Sequence, residues 1–374
     1  MNVENITKLE QVRELSERER AELRPVEQRF VFRSNTYYQR LINWNDPHDP
    51  IRRLVIPEPS ELLEGGKLDA SEESAYTRVP GLQHKYRDTA LLLVNDVCGA
   101  YCRFCFRKRL FLDDNHEVVK DVSLGLQYIA SHSEITNVLL TGGDPLVFSA
   151  LKLKSIIEQI RRIDHVKIIR IGTKMPAFNP RKLYSDDVLM DVFRAYSTPA
   201  ARIYIMAHFT HPRELTPEAI QCLDALQRAG AITVNQAPMI AGINDDPEVL
   251  ADLLSRLSFA GVTPYYVFQC RPTMGNRAYS VPLEEACQIF QKAQARCSGL
   301  AKRARFVMSH ASGKIEIIAV KDGFVYMRYL QASSIEDEGR FMVLSSNKNA
   351  HWLDDYQTEA DVPFQEACDA GAAF

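Results

Sequence analysis

The chain has 374 residues, 46% hydrophobic and 25% charged, with 45 lysines and arginines against 48 aspartates and glutamates and a formal charge of -3. That balance is ordinary for a globular protein of one large or two smaller domains, and it gives no reason to expect a nucleic-acid partner. No apolar run is long enough to span a bilayer and no signal peptide is recognisable, so no membrane partner and a cytoplasmic location are expected.

Residues 1 to about 30 are rich in Glu and Arg, with Leu9, Val12, Leu15 and Leu23 spaced roughly like one face of a solvated, peripheral helix. The prolines of residues 44–62 forbid a long helix and favour an extended arm. A polar loop follows at 65–74, and residues 79–94 lead into a buried apolar strand. Directly after it stand Cys98, Cys102 and Cys105 in a C-x3-C-x2-C spacing. Structural zinc and ordinary iron-sulfur sites take four protein ligands, so three thiolates on one loop suggest a metal position left open for a substrate or cofactor. The neighbouring Arg103, Arg107, Lys108 and Arg109 are hard to place in a core, where unpaired charge is costly. A disulfide framework does not suit a chain of this length without a signal peptide. Cys222, Cys270, Cys287, Cys297 and Cys368 lack metal spacing and read as packing residues.

Beyond the cysteines, apolar β-branched runs alternate with helical stretches, the pattern of a parallel α/β fold. Strands are predicted near 90–96, 137–141, 166–172, 202–208, 232–236 and 263–269, with an amphipathic helix at 151–163 among those between them. The second strand ends in Gly142-Gly143-Asp144, where glycines let the backbone approach a ligand and Asp144 could accept from an ammonium group or simply cap a turn. Arg170 and Lys174 lie near the end of the third strand and read equally well as surface charges. His208 and His211 end the fourth, as core histidines or site residues. Gln236 ends the fifth, and Gly313-Lys314 lies in a loop between two apolar runs, where an exposed turn lysine is the ordinary reading.

The C-x3-C-x2-C spacing is the signature of the radical S-adenosylmethionine (SAM) superfamily, and the text YCRFCFRKR resembles its lysine 2,3-aminomutase family. DPIRRLVIP, IIRIGTKMP, AHFTHP and VNQAPMIAGIND resemble segments of the same family, so the likeness runs from about Asp46 to about Tyr326. It implies a partial (β/α)6 TIM-type barrel at 81–300, preceded by N-terminal helices and an extended arm at 1–80. A small β-containing extension at 301–374 would carry the lysine loop. Chemistry in such barrels collects at the carboxyl ends of the strands. The resemblance implies that Cys98, Cys102 and Cys105 hold a [4Fe-4S] cluster whose fourth iron binds SAM, with Gly142, Gly143, Asp144, Gln236 and His208 around SAM. Lys314 matches the lysine that binds pyridoxal 5'-phosphate (PLP). The family's phosphate-binding arginines fall at Lys85 and Thr89, with Arg87 as a substitute. The implied reaction is an α-to-β amino shift, driven by a radical from SAM and served by an electron donor such as flavodoxin or ferredoxin.

The same resemblance places the substrate carboxylate on Arg107. Lysine-specific members use two aspartates for the distal ammonium, and here those positions are Arg271 and Ser309, which points to a non-lysine amino acid, an acidic one such as glutamate preferred. A PLP-free radical SAM enzyme, an aminomutase acting on a protein lysine, as in the elongation factor P-modifying relatives, and a noncatalytic iron or zinc binding protein are the alternatives. The tail from Lys321 reads as short strands and turns with an acidic end. Cys368 alone does not make the C-terminal zinc cluster that family members carry in homo-oligomer assembly, and the oligomeric state is left open.

Overall fold

The computed structural model describes residues 3–112 and 115–356; Cys368 and the acidic end lie outside them. Two short strands, β1 (Asn5–Ile6) and β2 (Ser34–Asn35), pair antiparallel at the amino-terminal side. The remaining strands form one sheet that curves around the site: β3 (Thr77–Val79), β4 (Leu82–Tyr86), β5 (Thr89–Asn95), β6 (Asn137–Gly142), β7 (Ile168–Thr173), β8 (Arg202–Ala207), β9 (Ile232–Pro238), β10 (Thr263–Phe268), β11 (Arg305–His310), β12 (Gly313–Lys321), β13 (Phe324–Ala332) and β14 (Phe341–Ser345). Their spatial order follows their sequence order, and the sheet crosses residues 80–81 and 300–301 without a break. All neighbours from β5 to β11 are parallel, flanked by antiparallel β3–β4 on one side and β12–β14 on the other. The six predicted barrel strands are β5 to β10. The run at 305–310 adds a seventh parallel strand, because it follows a crossover helix, Leu283–Arg296, as the others do.

Period-two alternation decides which residues see the interior. On β7, Ile169 and Ile171 are fully buried in the hydrophobic core, while Arg170 and Gly172 line the cavity on the opposite face; on β6, Val138 and Leu140 take the core and Leu139 and Thr141 the cavity. The covering helices start where their caps dictate. Ser149 accepts from the N–H of Lys152 to open Ala150–Arg161, whose Leu153, Ile156, Ile157 and Ile160 bury one face. Asp246 and Thr216 cap two further helices, each with proline at the first turn, where its missing N–H costs nothing.

The amino-terminal segment differs from its prediction. Leu9 and Val12 are fully buried and Leu15 nearly so, and the regular helix is confined to Glu17–Arg29. Their shared apolar face packs into the main core rather than facing solvent. Nor are residues 44–62 simply extended: Pro50 begins the short helix Pro50–Val55, with Asp49 accepting from the N–H groups of Ile51 and Arg52. Proline forbids a helix interior, not a first turn.

Candidate active site

A cavity of about 320 Å³ lies inside the curved sheet. One end is walled by the cysteine loop and the carboxyl ends of β6 to β9. The other reaches Thr89, Leu91, Arg170 and Tyr265, nearer the amino ends of their strands.

Cys98, Cys102 and Cys105 all line this cavity as free thiols. Burial pushes all three thiols up, Cys102 to about 12. Cys270 reaches the same wall from beyond β10, with its thiol 3.8 Å from the Arg271 carbonyl. Among the described residues, no three His, Cys, Asp or Glu side chains converge as a single-ion site would demand.

The loop's basic residues are core residues after all, and each is paired. Arg103, 2% exposed, donates from Nε and Nη2 to fully buried Glu61 at 2.9 and 2.8 Å, and from Nη1 to the Val31 carbonyl. Lys108 donates to the Gly275 carbonyl and lies 3.5 Å from Glu61; Arg109 binds Glu117 and Glu73. The amino-terminal arm therefore supplies the carboxylates that hold the cysteine loop. Arg107 donates from Nε and Nη2 to Glu73 at 3.0 and 2.9 Å and from Nη1 to Thr141 at 2.8 Å. A guanidinium has five N–H groups, so two remain for a ligand carboxylate. Although burial pushes the Glu73 carboxyl up, Arg107, Arg271 and Arg109 together hold it well below the usual range.

The glycine motif is explained differently from its sequence reading. Gly142 has φ +112°, and a Cβ there would sit 2.4 Å from the Asn95 carbonyl oxygen; a Cβ on Gly143 would meet the Val97 backbone at 2.6 Å. Both glycines let β6 approach the segment that leads into Cys98. The Asp144 carboxylate accepts from the N–H groups of Leu146, Lys174 and Met175 and from the Thr173 hydroxyl, at 2.7–3.2 Å. Three of these donors reach Oδ2 and one reaches Oδ1, which keeps an acceptor position.

His208 and Gln236 line the cavity 3.4 Å apart, and burial, then Lys174 and Arg107, lowers the His208 imidazole to about 3. At neutral pH it is an uncharged donor or acceptor. His211 lies away from the cavity, its Nδ1 accepting the N–H of Arg213. Lys174, readable as a surface charge, is buried against Glu214 at 2.6 Å, and its Nζ also donates to the His208 carbonyl.

The far end of the cavity is cationic. Lys314 is not in a loop: it is the second residue of β12, after a two-residue turn from β11, opposite Ser309 in the register. Its Nζ lies 4.7 Å from the ring centroid of Tyr266 and 5.7 Å from that of Tyr86. Burial first, then Arg170, Arg271 and Lys85, lowers its ammonium to about 7. Lys85 donates to the His310 carbonyl at 2.5 Å. Arg87 is exposed in the turn between β4 and β5, outside the cavity lining, so it cannot stand in as a cation there. Arg170, passed over in the sequence, takes that space. The signal was present as a lone arginine inside the apolar run IIRI.

Arg271 lies over the Phe106 ring at 3.7 Å, with Nη1 3.6 Å from Glu73 but without a hydrogen bond; Ser309 lines the wall nearby. A strap at residues 65–76 closes this side. Lys67 bonds the Pro272 carbonyl, Ser71 the Ser309 carbonyl and Tyr76 the Ala311 carbonyl. Glu72 adopts φ +51°, a left-handed conformation rarely taken by a side-chain-bearing residue, and so presents Glu73 to the arginines.

Residues 92–254 match the Radical SAM superfamily. Over 352 residues the chain is 54% identical to a protein of Aquifex aeolicus (strain VF5) provisionally named L-lysine 2,3-aminomutase, covering 94% of each chain. A second protein of that organism with the same provisional name is 38% identical over 72% of each chain. A glutamate 2,3-aminomutase of Clostridioides difficile (strain 630) is 31% identical over 80% of this chain and 70% of its own.

Proposed function

The chain belongs to the radical SAM superfamily and, within it, to the lysine 2,3-aminomutase family, and from that membership we propose that it moves an α-amino group to the β-carbon of a non-lysine amino acid, glutamate-like in charge. The family's cofactors are a [4Fe-4S] cluster, SAM and PLP, and the residues suit all three. The cluster has three thiols on one cavity wall, and SAM has the main chain of Gly142 and Gly143 with Gln236 and His208. PLP has a half-buried lysine of lowered basicity. When bound, these groups supply a carbon-centred radical and an electrophilic carbonyl for the amino group.

The observation that carries the substrate reading is the charge of the lining. Lys85, Arg107, Arg170, Lys174, Arg271 and Lys314 face the cavity, against Glu73 and Asp144 alone, and both carboxylates are engaged by protein donors. A substrate ammonium about 4 Å from Arg271 would be disfavoured by roughly 4 kcal/mol at an effective dielectric near 20. Glu73, shared among Arg107, Arg109 and Arg271, does not cancel that cluster. A side-chain carboxylate instead gains a partner in Arg271, while the two remaining N–H groups of Arg107 hold the α-carboxylate.

The other residues prepare the site. Unprotonated Lys314 is a nucleophile for a carbonyl near neutral pH, which an ordinary lysine is not. Glu73 and Thr141 fix the orientation of Arg107, and the strap covers one side of the cavity. An external one-electron donor of the flavodoxin or ferredoxin kind completes the proposed system.

The test is turnover by protein reconstituted anaerobically with iron, sulfide, SAM and PLP. We expect a β-amino product from glutamate well above that from lysine or alanine. Efficient turnover of lysine alone would remove the charge argument, whereas no 5'-deoxyadenosine from SAM under reducing conditions would remove the enzyme class itself.

A further inference from the structure

Arg170 is the one cavity-lining arginine that forms neither a hydrogen bond nor an ion pair among the described residues; its Nε is wholly buried without a partner. Arg107 is saturated on one edge by Glu73 and Arg271 lies within 3.6 Å of it, but no carboxylate faces Arg170 at that range. The carboxylate of Asp88, in the β4–β5 turn, is within electrostatic reach of Arg170 yet takes the Thr89 hydroxyl instead. A half-buried guanidinium whose Nε has no partner carries a desolvation cost, and the cost is relieved when an anion arrives. One further cation shares the space: Lys314 lies close enough for Arg170 to depress its basicity, while Lys85, which spends one donor on the His310 carbonyl, borders Lys314 from the side of Arg271.

We propose that Arg170 is the phosphate anchor for PLP in this chain, taking the place that Arg87 was expected to fill. The inference rests on the PLP dependence proposed above. It also sets the polarity of the site. Arg170 stands mid-strand on β7, so the phosphate lies toward the amino ends of the strands, with Lys314 beside it and the cysteine loop at the opposite wall. A phosphate suits such a place better than a carboxylate does, because it carries more charge and can accept from both a guanidinium fork and an ammonium group.

The experiment compares PLP with pyridoxal, which has the same ring and aldehyde but no phosphate. Dissociation constants for both are measured by absorbance and fluorescence titration of the wild type and of R170M. Loss of the charge-assisted bonds should weaken PLP about 10- to 100-fold more than pyridoxal, the ratio cancelling any change in Lys314 basicity that both ligands share. A parallel loss of both ligands, no change in either, or a change confined to glutamate binding overturns the assignment. Should R170M fail to fold, judged by circular dichroism, R170K decides. It keeps the charge without the fork, so a reduced PLP preference supports the anchor and an unchanged one refutes it. If the wild type captures neither PLP nor pyridoxal, the proposed function fails first and this inference falls with it.

Discussion

Two clusters of positive charge flank one cavity, and they are built on opposite rules. At the cysteine loop, Arg103, Arg107, Lys108 and Arg109 are all buried or nearly so, and each meets a carboxylate from the amino-terminal arm or its neighbourhood. At the other end, Lys85, Arg170 and Lys314 share no ion pair among the described residues, and Arg170 has no partner of any kind. Paired charge fixes a loop in place. Unpaired charge, kept at a cost, marks where a ligand must supply the opposite sign.

Removing one arginine from each cluster should change stability with opposite signs. R103M leaves fully buried Glu61 without its bidentate partner and should cost about 3–5 kcal/mol, read as a lowered urea midpoint at constant slope. A loss below about 1 kcal/mol would show that Lys108, 3.5 Å from Glu61, and Tyr279, whose hydroxyl donates to it at 3.4 Å, satisfy Glu61 unaided. Glu73→Ala should cost about 2 kcal/mol, since it unpairs Arg107, and should raise KM for the amino acid more than it lowers kcat. Equal loss in both would instead assign Glu73 to a step made only in the transition state. R170M should stabilise the cofactor-free protein by about 1 kcal/mol, because it removes a charge with nothing to pair with; destabilisation would break the contrast between the clusters.

The smallest expected effect is on pH dependence. Lys314 has its basicity lowered to about 7, so it binds fewer protons folded than unfolded, and its contribution to stability rises as pH climbs from about 7 toward the ordinary lysine value of 10.5. PLP capture should follow the same titration, half-maximal near pH 7 in the wild type and shifted upward in R170M. A midpoint that does not move in R170M would separate Arg170 from Lys314.

By itself the sequence determined the parallel strands and the three-cysteine spacing, because each depends on local periodicity or on spacing within about eight residues, whereas the barrel was what the family resemblance implied. It also placed Lys314 correctly on its chain neighbourhood, though as a loop residue rather than the start of a strand. Which charges were partnered was a tertiary matter. Arg103 looked like a misfit for a core because Glu61, its partner, lies 42 residues away. Arg170 looked like a surface charge because only the curved sheet, with isoleucines turned to the helices, turns it inward. Arg87 and Arg170 could not be ranked as anion ligands until the β4–β5 turn carried one out to solvent and β7 held the other inside. Chain distance carries no information about solvation, and the standing of a charge depends on what surrounds it once the water has gone.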